Sequence, residues 1–151
     1  MPEQRQKALQ PDEQDDERHR QTQERGHLGR ERGIEDRDGA LDRKQHVFDD
    51  CIAVAEHLVA EGLASPATLG LMGGSNGGLL VGAVLTQRPD LFNAVVCQVP
   101  LLDMRRYHTL LAGASWMGEY GNPDVPAEWE YISRYSPYQN VKAGVKYPRV
   151  L

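Results

Sequence analysis

A serine set among glycines is the part of this chain that could do covalent chemistry. Residues 69–78 run from an apolar stretch (Leu-Gly-Leu-Met) through Gly73-Gly74-Ser75-Asn76-Gly77, a G-x-S-x-G pattern, into a second apolar stretch. A serine hydroxyl is a poor nucleophile. It becomes useful when a sharp turn presents it to solvent, near a base and beside unpaired backbone N–H groups. Strand, turn and helix in that order supply such a turn, and the flanking glycines let strand, helix and substrate approach closely. Ser75 is therefore the candidate nucleophile.

A glycine-rich turn can also be a plain tight turn or a phosphate cradle. Here no G-K-[ST] ending follows, and the glycines are not spaced G-x-G-x-x-G, so neither nucleotide fingerprint is met. The other reactive side chains form no comparable pattern. Cys51 and Cys97 match no C-x-x-C spacing, and Cys97 sits in the apolar run Ala94-Val95-Val96-Cys97, where a small buried hydrophobe is expected. The five histidines make no H-E-x-x-H pair, so no metal and no cofactor are expected. His108 lies too soon after Ser75 to fit the order Ser, acidic residue, His, and reads as structural.

The elements that must position Ser75 follow from the apolar spacing. Val47, Phe48, Cys51, Ile52, Ala55, Leu58 and Val59 recur at helical intervals and predict a helix from His46 to Gly62. Thr68 to Met72 reads as a short buried strand, Gly78 to Gln87 as an apolar helix stopped by Arg88-Pro89, and Ala94 to Val99 as a second strand ended by Pro100. Beyond it the sequence predicts a short helix near Leu101 to Leu111, an aromatic-rich loop through Trp116 and Tyr120, a helix around Pro126 to Arg134, and a strand opening at Val150-Leu151. Alternating strands and helices argue for an α/β fold, a parallel sheet with helices on both faces and its site at the carboxyl ends of the strands.

Composition divides the 151 residues. The first 45 hold more than half of the charged residues and no aromatic one, and cannot bury enough apolar surface to offset their ordering entropy. Residues 1–40 are expected to be a disordered charged segment or one read out of frame, and residues 41–151 the domain. A net charge of −5 without a basic face argues against nucleic acid. The N-terminus is too polar for a signal peptide and no apolar run approaches a membrane span, so no membrane partner is expected.

From about Leu41 onward the sequence resembles the catalytic domain of the prolyl oligopeptidase family of serine peptidases. The runs that carry the resemblance are VFDDCIAVAEHL, GGSNGGLLVGAVLTQRPDLF, VPLLDMRRYHTLLAGASWMGEYGNP and YSPYQNV. The resemblance implies a partial α/β-hydrolase fold, truncated at both ends. It implies that Ser75 is the nucleophile, that the backbone N–H of Asn76 is an oxyanion-hole donor, and that Trp116, Tyr120 and Leu101 line a pocket for proline. A short proline-containing peptide is the implied substrate. The family's aspartate and histidine would follow the strand at Val150, beyond Leu151, and its R-G-G-G-E and W-H stretches are absent upstream. The chain thus reads as a fragment, expected to be inactive alone. An α/β-hydrolase of other specificity, or a remnant with no enzymatic role, are the alternatives.

Overall fold

The computed structural model describes residues 38–151, so the expectation for residues 1–40 falls almost wholly outside the described residues. Helix α1 (Gln45–Ala60) follows the predicted span. It ends because Gly62 takes a left-handed φ of 70°, which lets its N–H reach the Val59 carbonyl and the Leu63 N–H reach that of Leu58. Such paired bonds satisfy carbonyls that a helix end otherwise leaves open. Phe48 and Ala55 are the buried members of its apolar stripe.

Strand β1 (Gly70–Gly74) begins later than the sequence suggests and runs to the residue before Ser75. Thr68 and Leu69 are spent on a turn, their N–H groups donating to the Ser65 carbonyl. Gly73 and Gly74, poor strand formers by propensity, are held in the strand by their pairing with Cys97 and Gln98 of β2 (Ala94–Gln98). Helix α2 (Asn76–Gln87) starts directly after Ser75, so the turn between strand and helix is a single residue. Leu79, Val81, Ala83 and Val84 are all buried. Helix α2 packs on β1 and β2 and on α1.

The sheet is parallel, in the order β1-β2-β3, with β3 (Arg149–Val150) paired to Ala94 and Val95. Among the described residues, Leu71 and Gly73 lie on the covered face of β1, whereas Met72 on the other face is 73% exposed. The stretch between β2 and β3 departs from expectation. No regular helix forms over Leu101 to Leu111, only a 3-10 turn at Tyr107–Thr109, because Pro100 starts the segment and Tyr107 is drawn into the core. The aromatic-rich loop contains a second 3-10 turn, Gly113–Trp116, running into the one-turn helix α3 (Met117–Tyr120). Helix α4 (Pro126–Tyr135) matches its prediction, with proline at its first position, and the short α5 (Pro137–Asn140) follows.

One ion pair ties the start of the domain to this aromatic segment. Lys44 Nζ donates to Glu119 Oε1 at 2.6 Å and lies 5.3 Å from the centroid of the Tyr120 ring. The Lys44 side chain is 4% exposed and that of Glu119 33%, so only the lysine has given up its water. Removing one member of a fully buried pair costs several kcal/mol, and the partial exposure of Glu119 reduces that figure. Lys44→Met, which keeps the aliphatic stem, is expected to destabilise the domain by about 2 kcal/mol. Urea unfolding checks this; a loss below about 0.5 kcal/mol, the range of ordinary surface changes, contradicts it.

Candidate active site

The register of β1 on β2 places Ser75 at the carboxyl end of the sheet. Its N–H donates to the Gln98 carbonyl at 3.0 Å, and its own carbonyl accepts from the N–H groups of Gly78 and Leu79 at 2.9 and 3.1 Å. With the backbone bonded on both sides, the residue is held at φ 56°, ψ −118°, a conformation costly for anything but glycine. The strain leaves Ser75 exposed at the tip of the turn. Asn76 is the first residue of α2, so its N–H has no acceptor within the helix and points from the positive end of the helix dipole. A hydroxyl and a free N–H on consecutive residues form a pair able to attack a carbonyl carbon and hold the oxygen that becomes negative.

Ser75 opens onto a cavity of about 350 Å³. Leu101, Tyr107, Leu110, Gly113 and Trp116 contribute to its wall, all from the segment that follows β2. Trp116 is partly exposed at 36% and stacks on Tyr120, with ring centroids 5.9 Å apart and an interplanar angle of 22°. Leu101 and Trp116 both line this cavity. Tyr120 packs against Trp116. It is fully buried and absent from the cavity lining, and its hydroxyl donates to Asn76 Oδ1 at 2.8 Å. Desolvation, then the neighbouring Glu119 carboxylate and Tyr107, push its phenol well above the ordinary value, so the proton stays on the oxygen.

Tyr107 was not singled out by sequence reasoning, and its role is clear only in three dimensions. Its ring meets Tyr120 edge-on at 5.5 Å, and its hydroxyl donates to the Gly121 carbonyl. Burial, aided by Tyr131 and Glu128, pushes its phenol up to about 12. His108, beside it, points to Asp124, with Nε2 2.9 Å from Oδ2. That contact joins the 3-10 turn to the loop before α4 and leaves the histidine's Nδ1 buried without a partner. Among the described residues, no three His, Cys, Asp or Glu side chains gather as a metal site would require. No helix among them is long and apolar enough to cross a membrane.

Backbone strain gathers at this cavity. Four non-glycine residues among those described have positive φ, and three of them, Ser75, Val99 (φ 38°) and Leu111 (φ 49°), line it. For a β-branched valine the left-handed region is a true outlier. Val99 is 81% exposed, so its side chain adds little packing to offset the strain. Val99→Gly would relieve about 1–3 kcal/mol of strain and lose somewhat under 1 kcal/mol to the looser unfolded chain. We expect a net gain of about 1 kcal/mol. A clear drop in the thermal midpoint would show that Val99 is not strained.

The chain is similar to known proteins in sequence and in fold. The model of the prolyl oligopeptidase family matches residues 23–151, beginning upstream of the Leu41 at which the resemblance was drawn. A protein of Sinorhizobium fredii named uncharacterized peptidase y4nA is 56% identical over 110 residues, which are 73% of this chain and 15% of that protein. The prolyl endopeptidase of Elizabethkingia meningoseptica is 46% identical over 114 residues, 75% of this chain and 16% of its own length. Among solved structures, a post-proline cleaving enzyme from Rickettsia typhi superposes with a TM-score of 0.74 at 47% identity, over 75% of this chain and 16% of that one. The chain thus spans about 15% of the length of the relatives it matches. With the family model matched over most of the sequence and relatives far above the level at which folds diverge, the chain belongs to the prolyl oligopeptidase family.

Proposed function

We propose that this chain is the nucleophile-bearing part of a serine peptidase that cleaves short peptides on the carboxyl side of proline. The observation that carries the reading is the strained, exposed Ser75 opening onto a cavity walled by Trp116 and Leu101, beside the free N–H of Asn76. In this mechanism Ser75 Oγ attacks the carbonyl carbon of the proline residue, the Asn76 N–H holds the oxyanion, and the peptide bond breaks as the amine leaves. Water then releases the acid from the acyl-enzyme. Proline offers no N–H and presents a compact apolar ring, so a slot of leucine and a flat indole suits it by area and shape.

The proton of Ser75 must go to a base. Among the described residues no histidine contacts Ser75, and His108 is committed to Asp124. Following the family resemblance, the reading assigns the acidic residue and histidine of the relay to sequence outside these 151 residues, and expects the chain alone to show no turnover. The relatives named prolyl endopeptidases, several-fold longer than this chain, support that division.

The experiment is a splice. Residues 38–151 replace the matching segment of the Elizabethkingia meningoseptica prolyl endopeptidase, and the product is assayed on a proline chromogenic peptide, an arginine peptide and a simple ester. Preferred cleavage after proline is the expected result. Preference for the ester or the arginine peptide would make the segment part of a hydrolase of other specificity. A folded splice product without activity on any of the three would sink the peptidase reading.

A further inference from the structure

A second cavity, of about 520 Å³, lies at the other end of the sheet from Ser75. Of its wall residues, Asn93 directly precedes β2 and Arg149 opens β3, whereas Ser75 follows the carboxyl end of β1. Sites in parallel sheets usually form at the carboxyl ends of the strands. This one forms at the amino ends and shares no lining residue with the serine cavity. Its volume falls in the range that takes a small ligand.

The wall is of two kinds. Phe92, itself buried, and three prolines contribute apolar ring surface. Beside them stand three charged side chains, Asp90, Lys146 and Arg149. The charge of Asp90 is already answered: Arg88 donates to its two carboxylate oxygens at 2.9 and 2.7 Å, which holds the carboxyl below its ordinary value. Lys146 and Arg149, both exposed, have no acidic partner among the described residues. Tyr147 adds a hydroxyl that accepts from the Lys142 N–H at 2.9 Å and keeps its own proton to donate.

We propose that this cavity binds a small organic acid, one carboxylate on an apolar body the size of an aromatic ring. The planar fork of Arg149 takes the carboxylate, Lys146 adds a second positive charge, and the phenol of Tyr147 donates a hydrogen bond. The ring lies against Phe92 and the prolines. Two positive groups and one negative line the cavity, so a single carboxylate balances the wall. A phosphate dianion leaves negative charge facing Asp90, and an uncharged ligand gains nothing from the two cations. The site makes no use of Ser75, so it stands or falls apart from the peptidase reading.

The test is a titration of the full chain with N-acetyl-phenylalanine, followed by amide NMR. The N–H signals of Asn93, Tyr147 and Arg149 are expected to shift with a Kd of about 1 mM, the scale for about fifteen non-hydrogen atoms at the efficiency of ordinary small ligands. N-acetyl-phenylalaninamide, which lacks the charge, is expected to bind about tenfold more weakly. Acetate and inorganic phosphate at the same concentration should move these signals little, since neither brings a ring. Lys146→Gln and Arg149→Gln together are expected to weaken binding about tenfold, and Asp90→Asn to strengthen it about twofold by removing the like charge. The two cations are exposed, so the fold should survive their loss, and unchanged signals along α2 check that it does. Equal binding of the amide, an equal response to acetate or phosphate, or an affinity unchanged in the folded double variant would each overturn the proposal. So would shifts confined to Ser75, Asn76 and Gly113, which would place the acid in the serine cavity instead. The ligand comparisons and Asp90→Asn decide the matter even if the double variant fails to fold.

Discussion

Ser75→Ala, made in the spliced peptidase, is expected to remove turnover of the proline peptide by at least about 10³-fold, with KM little changed. The hydroxyl forms the covalent bond and no neighbour can replace it. The cavity wall and the Asn76 N–H are untouched, so binding should survive. Alanine is also the residue type least disturbed by loss of the hydroxyl at an exposed position, and the fold should tolerate it. The φ of 56° remains unfavourable for alanine, so no gain in stability is expected beyond a few tenths of a kcal/mol. Steady-state kinetics with active-site titration decides the matter. Retention of more than a few per cent of the turnover would remove Ser75 from its proposed role and require another nucleophile.

Gly73→Ala is expected to be the most damaging single methyl in the elbow. A Cβ at Gly73 would lie 2.3 Å from the Gly77 carbonyl oxygen, 2.7 Å from its carbon and 2.8 Å from Val81 Cγ2. The first two are backbone atoms of α2 and cannot swing aside, so the helix must part from the strand that carries the serine. Overpacking of a closed core costs about 1–3 kcal/mol, and this contact should reach the top of that range or exceed it. Gly77→Ala is the control. A Cβ there meets nothing within 4 Å, and its backbone φ is not in the left-handed region. Alanine in a helical turn restricts the unfolded chain, so this variant is expected to be neutral or more stable by up to about 1 kcal/mol. The two outer glycines of the motif thus differ sharply: one is required by space, the other is not required for folding. Equal losses for the two variants, measured by urea unfolding, would contradict the packing shown by the structure.

Local chemistry makes much of this site legible in the sequence. The helix at 45–60 is readable because its apolar residues keep a 3.6-residue period and a glycine waits at its end. Ser75 is readable because a strained turn needs glycine around it, which leaves a mark in composition. Where the reading slipped, long-range contacts had outweighed local preference. Gly73 and Gly74 are strand residues only because Cys97 and Gln98 lie beside them, and nothing in their own identity says so. The expected helix at 101–111 lost to the burial of Tyr107 against Tyr120. For Tyr120 the family resemblance, and not ring type or spacing, implies a place in the pocket wall. The bond to Asn76 joins positions that are remote in sequence and became visible only with the fold.

The pairing of β1 with β2 acts as a ruler for the whole site. The serine leaves the sheet after Gly74, the cavity wall begins after Gln98, and these two residues sit opposite each other. The reach from hydroxyl to slot is thereby fixed by a ladder of backbone hydrogen bonds. Inserting or deleting one residue in β2 would displace the wall by about 3.3 Å along the strand and turn its side chains to the opposite face. That is about the whole distance at which a nucleophile meets its carbonyl. Substitutions at Leu101, Leu110 or Trp116 can therefore reshape what the slot accepts, while the length of β2 is closed to variation. Ancestral change in this segment should be found in its side chains and in the excursion from 99 to 148, and never in the count of residues between Asn93 and Val99.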